Sequence, residues 1–277
     1  MGLYYNQYMD FKEQRILGST GLKAGRLGIG SSYGVSTFSI EKAFDLGCNY
    51  FSWGTVTKGK RNNMRHAIRN ITSAGRRDDL IVSVFSYSHI AWLMENLFWR
   101  TLKQGNLEYA DVLLLGYYNK RPPERILKAA LRMKEKGMVR FIGLSGHNRK
   151  LFSELAELGI FDLFHIRYNA AHRGAEVETF PFLKGDDKPG VVSFTATRWG
   201  ELMNQKKMPE GQKALTAADC YRFVLTNPDV DLCMTGAKNS AQMNEALSVL
   251  NMAPMDEIEL ERMRVIGDHV RLKGKKF

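Results

Sequence analysis

The chain lacks most of what would divide it or place it outside a soluble globular class. Its 277 residues include seven prolines and three cysteines, with no Ser/Gly- or Pro-rich linker and no low-complexity tract. One domain over residues 1–277 is therefore expected, long enough to bury a sizeable core. Cys48, Cys220 and Cys233 show no metal-ligand spacing and cannot all pair, which predicts no metal site and a reducing, cytoplasmic compartment. Long apolar runs are missing too. The most apolar region, Leu80–Trp99, is broken by serines, His89 and Glu95, so no membrane partner is expected. The opening MGLYYNQYMD has no basic segment followed by an apolar core, and Asn6 stands where a myristoylation site needs Ser or Thr.

Acidic residues are the minority. Lys and Arg number 40 against 29 Asp and Glu, a net charge of +11. Such an excess suits a nucleic-acid surface, an anionic ligand or plain solubility. Here the cations are scattered over helices, without a nucleic-acid motif or interleaved aromatics. The one compact cluster, Arg271–Lys276, reads as a solvated tail. No nucleic-acid partner is expected.

What is present repeats one unit, seen most clearly at Lys134–Arg149, KEKGMVRFIGLSGHNR. A charged helix end is stopped by Gly137, because glycine alone takes the left-handed conformation cheaply. Val139–Ser145 follows, an apolar run of the kind buried on both faces of a parallel sheet. It delivers Ser145, His147, Asn148 and Arg149 where the strand stops.

Copies of this unit run along the chain. Glu13–Gly30 predicts a small hairpin about a Gly-Ser-Thr-Gly turn, leading into a first strand at Leu27–Gly30. Further strands are expected at Asn49–Ser52, Leu80–Phe85, Asp111–Leu115, Leu163–Arg167, Gly190–Phe194 and Asp231–Met234. Helices are expected between them, among them Ala175–Leu183 and Ser240–Leu250, with an extra one at Asp256–Val270. Strand and helix alternating about eight times predict an α/β fold, a (β/α)8 barrel with an N-terminal β-hairpin and a C-terminal extra helix. An open doubly wound sheet is the alternative, but Gly28-Ile29-Gly30 lacks the third glycine of its phosphate turn.

Chemistry in such a barrel sits at the carboxyl ends of the strands. Those ends bring together hydroxyls, aromatics and cations with few carboxylates. That excludes a glycosidase-type acid pair and a carboxylate-held metal, and it suits an anionic small molecule. Trp53 and Trp199 are candidates to wall a pocket. Arg167, His172 and Arg173, in RYNAAHRGA beyond the sixth strand, are candidates to bind the anion, with ordinary loop capping as the alternative.

The strings RILGSTGLKAGRLGIG, DLGCNYFS, YADVLLLG, KGMVRFIGLSGHN and VDLCMTGAKNSAQMNEAL, in this order and spacing, resemble the aldo-keto reductases over most of the chain. The resemblance implies a (β/α)8 barrel that reduces carbonyls with a nicotinamide dinucleotide, NADP(H) or else NAD(H). It also exposes departures. Where the family has its Asp, Tyr, Lys and His, this chain has Ser52, Thr57, Phe85 and Gly116. The family's proton donor is a phenol acidified by a lysine, so ordinary aldo-keto reductase activity is expected to be weak or absent. Replacement donors would be Tyr33, Tyr87, Tyr118 or His147.

The cofactor positions are better kept. By the resemblance, Ser145 and His165 would meet the nicotinamide amide and Phe194 would stack on its ring. Thr195, Thr197 and Arg198 would lie beside the pyrophosphate. Gly236, Lys238, Asn239, Gln242 and Glu245 would serve the adenosine end, with Gln242 standing where an arginine usually holds the 2′-phosphate. Three readings stay open: an oxidoreductase with another proton donor, a catalytically silent barrel acting as a dinucleotide- or anion-binding sensor or partner module, and a non-redox barrel enzyme.

Overall fold

A computed structural model describes residues 10–55 and 62–274. Eight parallel strands close into a barrel, and the fold is α/β as expected. A two-stranded antiparallel hairpin comes first, β1 (Arg15–Ile16) and β2 (Lys23–Ala24). The barrel strands follow as β3 (Leu27–Gly30), β4 (Tyr50–Gly54), β5 (Ile81–Ser86), β6 (Ala110–Leu115), β7 (Val139–Gly146), β8 (Leu163–Arg167), β9 (Gly190–Phe194) and β10 (Leu232–Thr235). Pairing of β10 with β3, Cys233 opposite Leu27, completes the ring.

The outer helices are α1 (Thr37–Asp45), α2 (Asn62–Ser73), α3 (Ala91–Gly105), α4 (Glu124–Glu135), α5 (Arg149–Ala156), α6 (Ala175–Glu178), α7 (Ala217–Thr226) and α8 (Ser240–Leu247), with α9 (Glu257–Lys273) as the extra C-terminal helix. The predicted helix Ala175–Leu183 is shorter than expected. It stops at Glu178 and resumes as a single 3-10 turn, Phe180–Phe182. Pro181 cannot donate the next helical hydrogen bond. Gly137 has φ of 69°, the left-handed stop that separates α4 from β7.

Side chains alternate across the sheet, and this alternation builds two cores. Tyr50, Ile81, Val112, Leu114, Leu163, Val192 and Leu232 fill the barrel interior. Leu17, Leu22 and Ala24, from the hairpin, belong to the same cluster. The hairpin therefore plugs the amino-terminal end, leaving the carboxyl ends of the strands as the mouth. Opposite residues such as Phe51, Trp53, Leu113, Ile142 and Ile166 pack outward against the helices. Among the described residues no helix is long and apolar enough to cross a membrane, and no group of three His, Cys, Asp or Glu is placed to hold a metal.

Candidate active site at the barrel mouth

One cavity of about 420 Å³ occupies the mouth. Ser52, Phe85, Tyr87, Tyr117, Ser145, His165 and Phe194 line one end, and Gly236, Lys238, Gln242 and Glu245 the other. Thr195, Thr197, Trp199 and Gly200 run between them. Tyr33 also lines it, its ring lying across Gly236 so that a Cβ there would come within 2.9 Å.

The floor is a buried pair. His165 Nε2 and the Tyr50 hydroxyl are 2.8 Å apart. Burial pushes the His165 pKa down to about 3, so the ring is neutral at neutral pH, and the same burial raises the Tyr50 pKa. A neutral imidazole has one donor and one acceptor nitrogen. Whichever role Nε2 takes toward Tyr50 fixes the role left to Nδ1.

Above this floor, Ser52, Phe85 and Gly116 are described; Thr57 lies outside the described residues. Ser52 and Phe85 line the cavity. Gly116 does not, but a Cβ on it would sit 2.4 Å from Phe85 Cε2 and 2.7 Å from Cζ. The Phe85 ring thus covers Gly116. From there an arc of rings runs around the rim. Phe85 and Tyr87 are 4.2 Å apart, Tyr87 and Tyr117 5.4 Å, Tyr117 and His147 6.1 Å, and His147 and Phe194 5.8 Å.

Among the candidate donors, Tyr118 and His147 do not line the cavity; Tyr117, the neighbour of Tyr118, does. Strand alternation puts Val112 and Leu114 inside, and continuing it would send Tyr118 inward. Tyr117 has φ of 57°, a left-handed turn that breaks the alternation. Tyr118 is turned into the outer core, where it stacks on His89 at 4.3 Å. Its hydroxyl is buried and its pKa is pushed up to about 12 by burial. Tyr33 is likewise raised, by burial and then by Tyr117. The His147 pKa is lowered, by burial first and then by Arg167.

At the other end, Glu245 Oε1 accepts from the Ala217 backbone N–H at 2.9 Å, and Gln242 Oε1 accepts from the Lys238 N–H at 2.9 Å. Lys238 has no ion-pair partner among the described residues. Asn239 does not line the cavity: it caps α8, accepting from the Gln242 N–H at 3.0 Å. Two cavity hydroxyls, Thr195 Oγ1 and Thr235 Oγ1, are buried with no hydrogen-bond partner among the described residues. Ala217 and Tyr221, four apart on one face of α7, were not singled out from sequence although helical spacing pairs them.

Several expected site residues are engaged elsewhere. Trp53 is fully buried on the outer face of β4, against Gly105 of α3, and walls no pocket. Alternation from the inward Ser52 dictates this. Arg198, 2% exposed, donates to Glu201 at 2.6 Å and lies against Gly274 beyond α9, so it does not line the cavity. Arg173 forms a two-pronged pair with Asp268 of α9, at 3.0 and 2.8 Å.

Arg167 ends β8 opposite Phe194. Its Nε is buried without a hydrogen bond, and it has no ion-pair partner among the described residues. His172 stands nearby, with Nδ1 3.3 Å from Asn169 Oδ1. Burial, then Arg167, Arg198, Arg271 and Arg149, pushes its pKa down to about 4.

No family model matches the sequence. The chain is 24% identical over 308 residues to an L-galactose dehydrogenase of Arabidopsis thaliana, covering 94% of this chain and 95% of that one. Among solved structures it is similar to an aldo-keto reductase of Bacillus halodurans. The holo form superposes with a TM-score of 0.75 at 18% identity, covering 92% of this chain and 96% of that one. The apo form gives 0.73 at 17%, covering 92% and 95%. At these identities the likeness is one of fold. The barrel has the same (β/α)8 architecture as that reductase.

Proposed function

We propose that the chain binds a nicotinamide dinucleotide, NADP(H) or NAD(H), along the mouth cavity and acts as an oxidoreductase with a non-standard proton donor. The observation that carries this is one continuous cavity running from Ser145 and His165, past Phe194, to Lys238, Gln242 and Glu245. The residues suit such a ligand. Thr195 and Thr235 offer buried hydroxyls that lack protein partners, and an unmade buried hydrogen bond costs about 1–3 kcal/mol unless something fills it.

When bound, the dinucleotide supplies a hydride donor or acceptor. Ser145 and His165 would hold the nicotinamide amide, and Phe194 would flank its ring. Lys238 would meet a 2′-phosphate as a point charge. Gln242 brings no second charge, which narrows the preference for NADP(H) over NAD(H). Glu245 keeps Oε2 for a base amino group.

The aromatic arc offers phenols as proton donors, and Tyr33 lines the same cavity. Tyr87 and Tyr117 are the phenols beside Phe85, and among the described residues the one lysine lining the cavity, Lys238, is at the far end. No described residue supplies beside them the ammonium that acidifies the family's phenol. Reduction of simple aldehydes should therefore be slow, by about the 10²–10⁴ that a positioned acid is worth. The close cover of Phe85 over Gly116 favours a second reading, a barrel that binds the dinucleotide without turnover and serves as a sensor or partner module.

Titrating NADPH and NADH against tryptophan fluorescence tests the binding, since Trp199 lines the cavity. Absence of both quenching and thermal shift at millimolar cofactor would sink the proposal, because a ligand of the native state must stabilise it. Cofactor oxidation with a panel of carbonyls separates the enzyme from the silent module.

A further inference from the structure

The rim between β7, β8 and the end of α9 holds more positive charge than its own carboxylates neutralise. Arg149 is paired with Glu178 at 2.6 Å, Arg198 with Glu201 at 2.6 Å and Arg173 with Asp268 at 2.8 Å. Glu201 is shared, since Lys207 also reaches it at 2.6 Å. Arg167 and Arg271 have no ion-pair partner among the described residues.

Arg167 does not itself line the cavity, but it is paired in register with a residue that does. It follows His165 on the inner face of β8 and is in register with Phe194, which lines the cavity. His147 stands on the other side of Phe194, with ring centroids 5.8 Å apart. Two buried polar atoms at this spot lack partners among the described residues, Arg167 Nε and His147 Nδ1. A half-buried guanidinium surrounded by other guanidinia is unfavourable as it stands, and an anion would relieve it.

We propose that the ligand turned over or sensed at this mouth carries a carboxylate or phosphate group, held by Arg167 at the rim beside His147 and Phe194. Calling that ligand the substrate rests on the dinucleotide reading; the anion site itself does not. The planar guanidinium can grip two oxygens of either group at once. His147, from the adjoining strand end, contributes a neutral-ring contact. The rest of the ligand then lies along the Tyr87–Tyr117 part of the aromatic arc, which favours a flat, unsaturated body.

The lowered His172 pKa is consistent with this local positive potential, which draws anions toward the mouth. The paired arginines would hold the frame, and Arg167 would make the contact.

The test is calorimetric titration of benzoate and of phenyl phosphate into the full-length protein, with and without saturating NADPH. Wild type, Arg167→Gln and Arg167→Lys are compared. The expected result is that one or both probes bind the wild type. Arg167→Gln weakens binding about tenfold or more, as loss of an ionic hydrogen bond does. Arg167→Lys falls between, and NADPH affinity moves by less than about threefold. Which probe binds more tightly separates a carboxylate ligand from a phosphate one. NADPH binding with no probe binding, or with probe binding that ignores Arg167, overturns the inference and leaves the cofactor reading intact. Arg167-dependent probe binding in a protein that binds neither NADPH nor NADH does the reverse. Matching melting temperatures for the three proteins exclude misfolding as the cause.

Discussion

The Phe85 ring lies where a side chain on Gly116 would have to be, with a Cβ there only 2.4 Å from Phe85 Cε2. Phe85 and Gly116, at the ends of β5 and β6, are thus one packing arrangement. A side chain at 116 requires the Phe85 ring to move.

Gly116→Ala is expected to destabilise the protein by about 1–3 kcal/mol, the usual cost of overpacking. In a Phe85→Ala background the cost should shrink, though the Ser86 carbonyl, 3.0 Å away, leaves some of it. Denaturant unfolding of the four proteins in the cycle measures the coupling. An equal cost in both backgrounds would show that the ring does not set the limit.

The Tyr50–His165 pair makes stability depend on pH. His165 titrates near 3 when folded and near 6.5 when unfolded. Between those values the unfolded chain binds the extra proton, so stability rises with pH and is lost as pH falls from about 6.5 toward 3. The slope from this one group is up to about 1.4 kcal/mol per pH unit. His165→Gln should reduce the slope of the stability profile between pH 4 and pH 6 (about the window where its unfolded state alone titrates), leaving the part due to His172. A wild-type profile flat over that range would refute the prediction.

Lys238→Ala should weaken NADPH about tenfold and NADH by less than about threefold, a difference that added salt reduces. Parallel fluorescence titrations at two ionic strengths check it. Equal losses for the two cofactors would remove the lysine from the 2′-phosphate and weaken the assignment of the Gly236–Glu245 end.

Removing the charge of Arg167 should raise the pKa of His172 from about 4. Burial would remain the larger cause, so the value stays below the ordinary 6.5. Histidine ring signals followed by NMR from pH 3 to 8 (about the range that brackets both values) report it in Arg167→Gln. No movement of that titration would mean the two groups do not share a rim.

Much of this architecture was legible before any coordinates. Buried runs such as Val139–Ser145 and glycine stops such as Gly137 mark strand and helix ends locally, and the barrel follows from their alternation. What failed was side-chain direction. Trp53 was readable in principle, since β4 alternates and Ser52 faces in. Tyr117 was not, because a left-handed φ at a tyrosine has no local signature, and it exchanged Tyr117 for Tyr118 as the cavity residue. Arg198 found Glu201 three residues on, a pair visible in the sequence. Arg173 found Asp268, which hydrophobic patterning could not foresee. Local order was thus readable, and long-range charge pairing was not.

The Tyr117 backbone is itself testable. Tyr117→Gly should keep the fold, trading ring contacts for relief of a strain worth about 1–2 kcal/mol. Tyr117→Val, β-branched at φ of 57°, should melt markedly lower than the glycine variant. Equal melting temperatures would indicate that the turn relaxes when the ring is removed.

The hairpin plug and the β10–β3 seam join segments far apart in the sequence. Arg15 reaches the Pro228 carbonyl at 2.9 Å across 213 residues, and Leu27 pairs beside Cys233. A polypeptide emerging from the ribosome therefore makes β3 first of the barrel strands and β10, its closing neighbour, last of them. Until Leu232–Thr235 arrives, β3 presents a bare strand edge and the interior lacks one wall. Closure is a late, non-local event whose loop entropy must be met before the contacts form. During synthesis that waiting edge is where a second nascent chain, or a chaperone, would engage this protein.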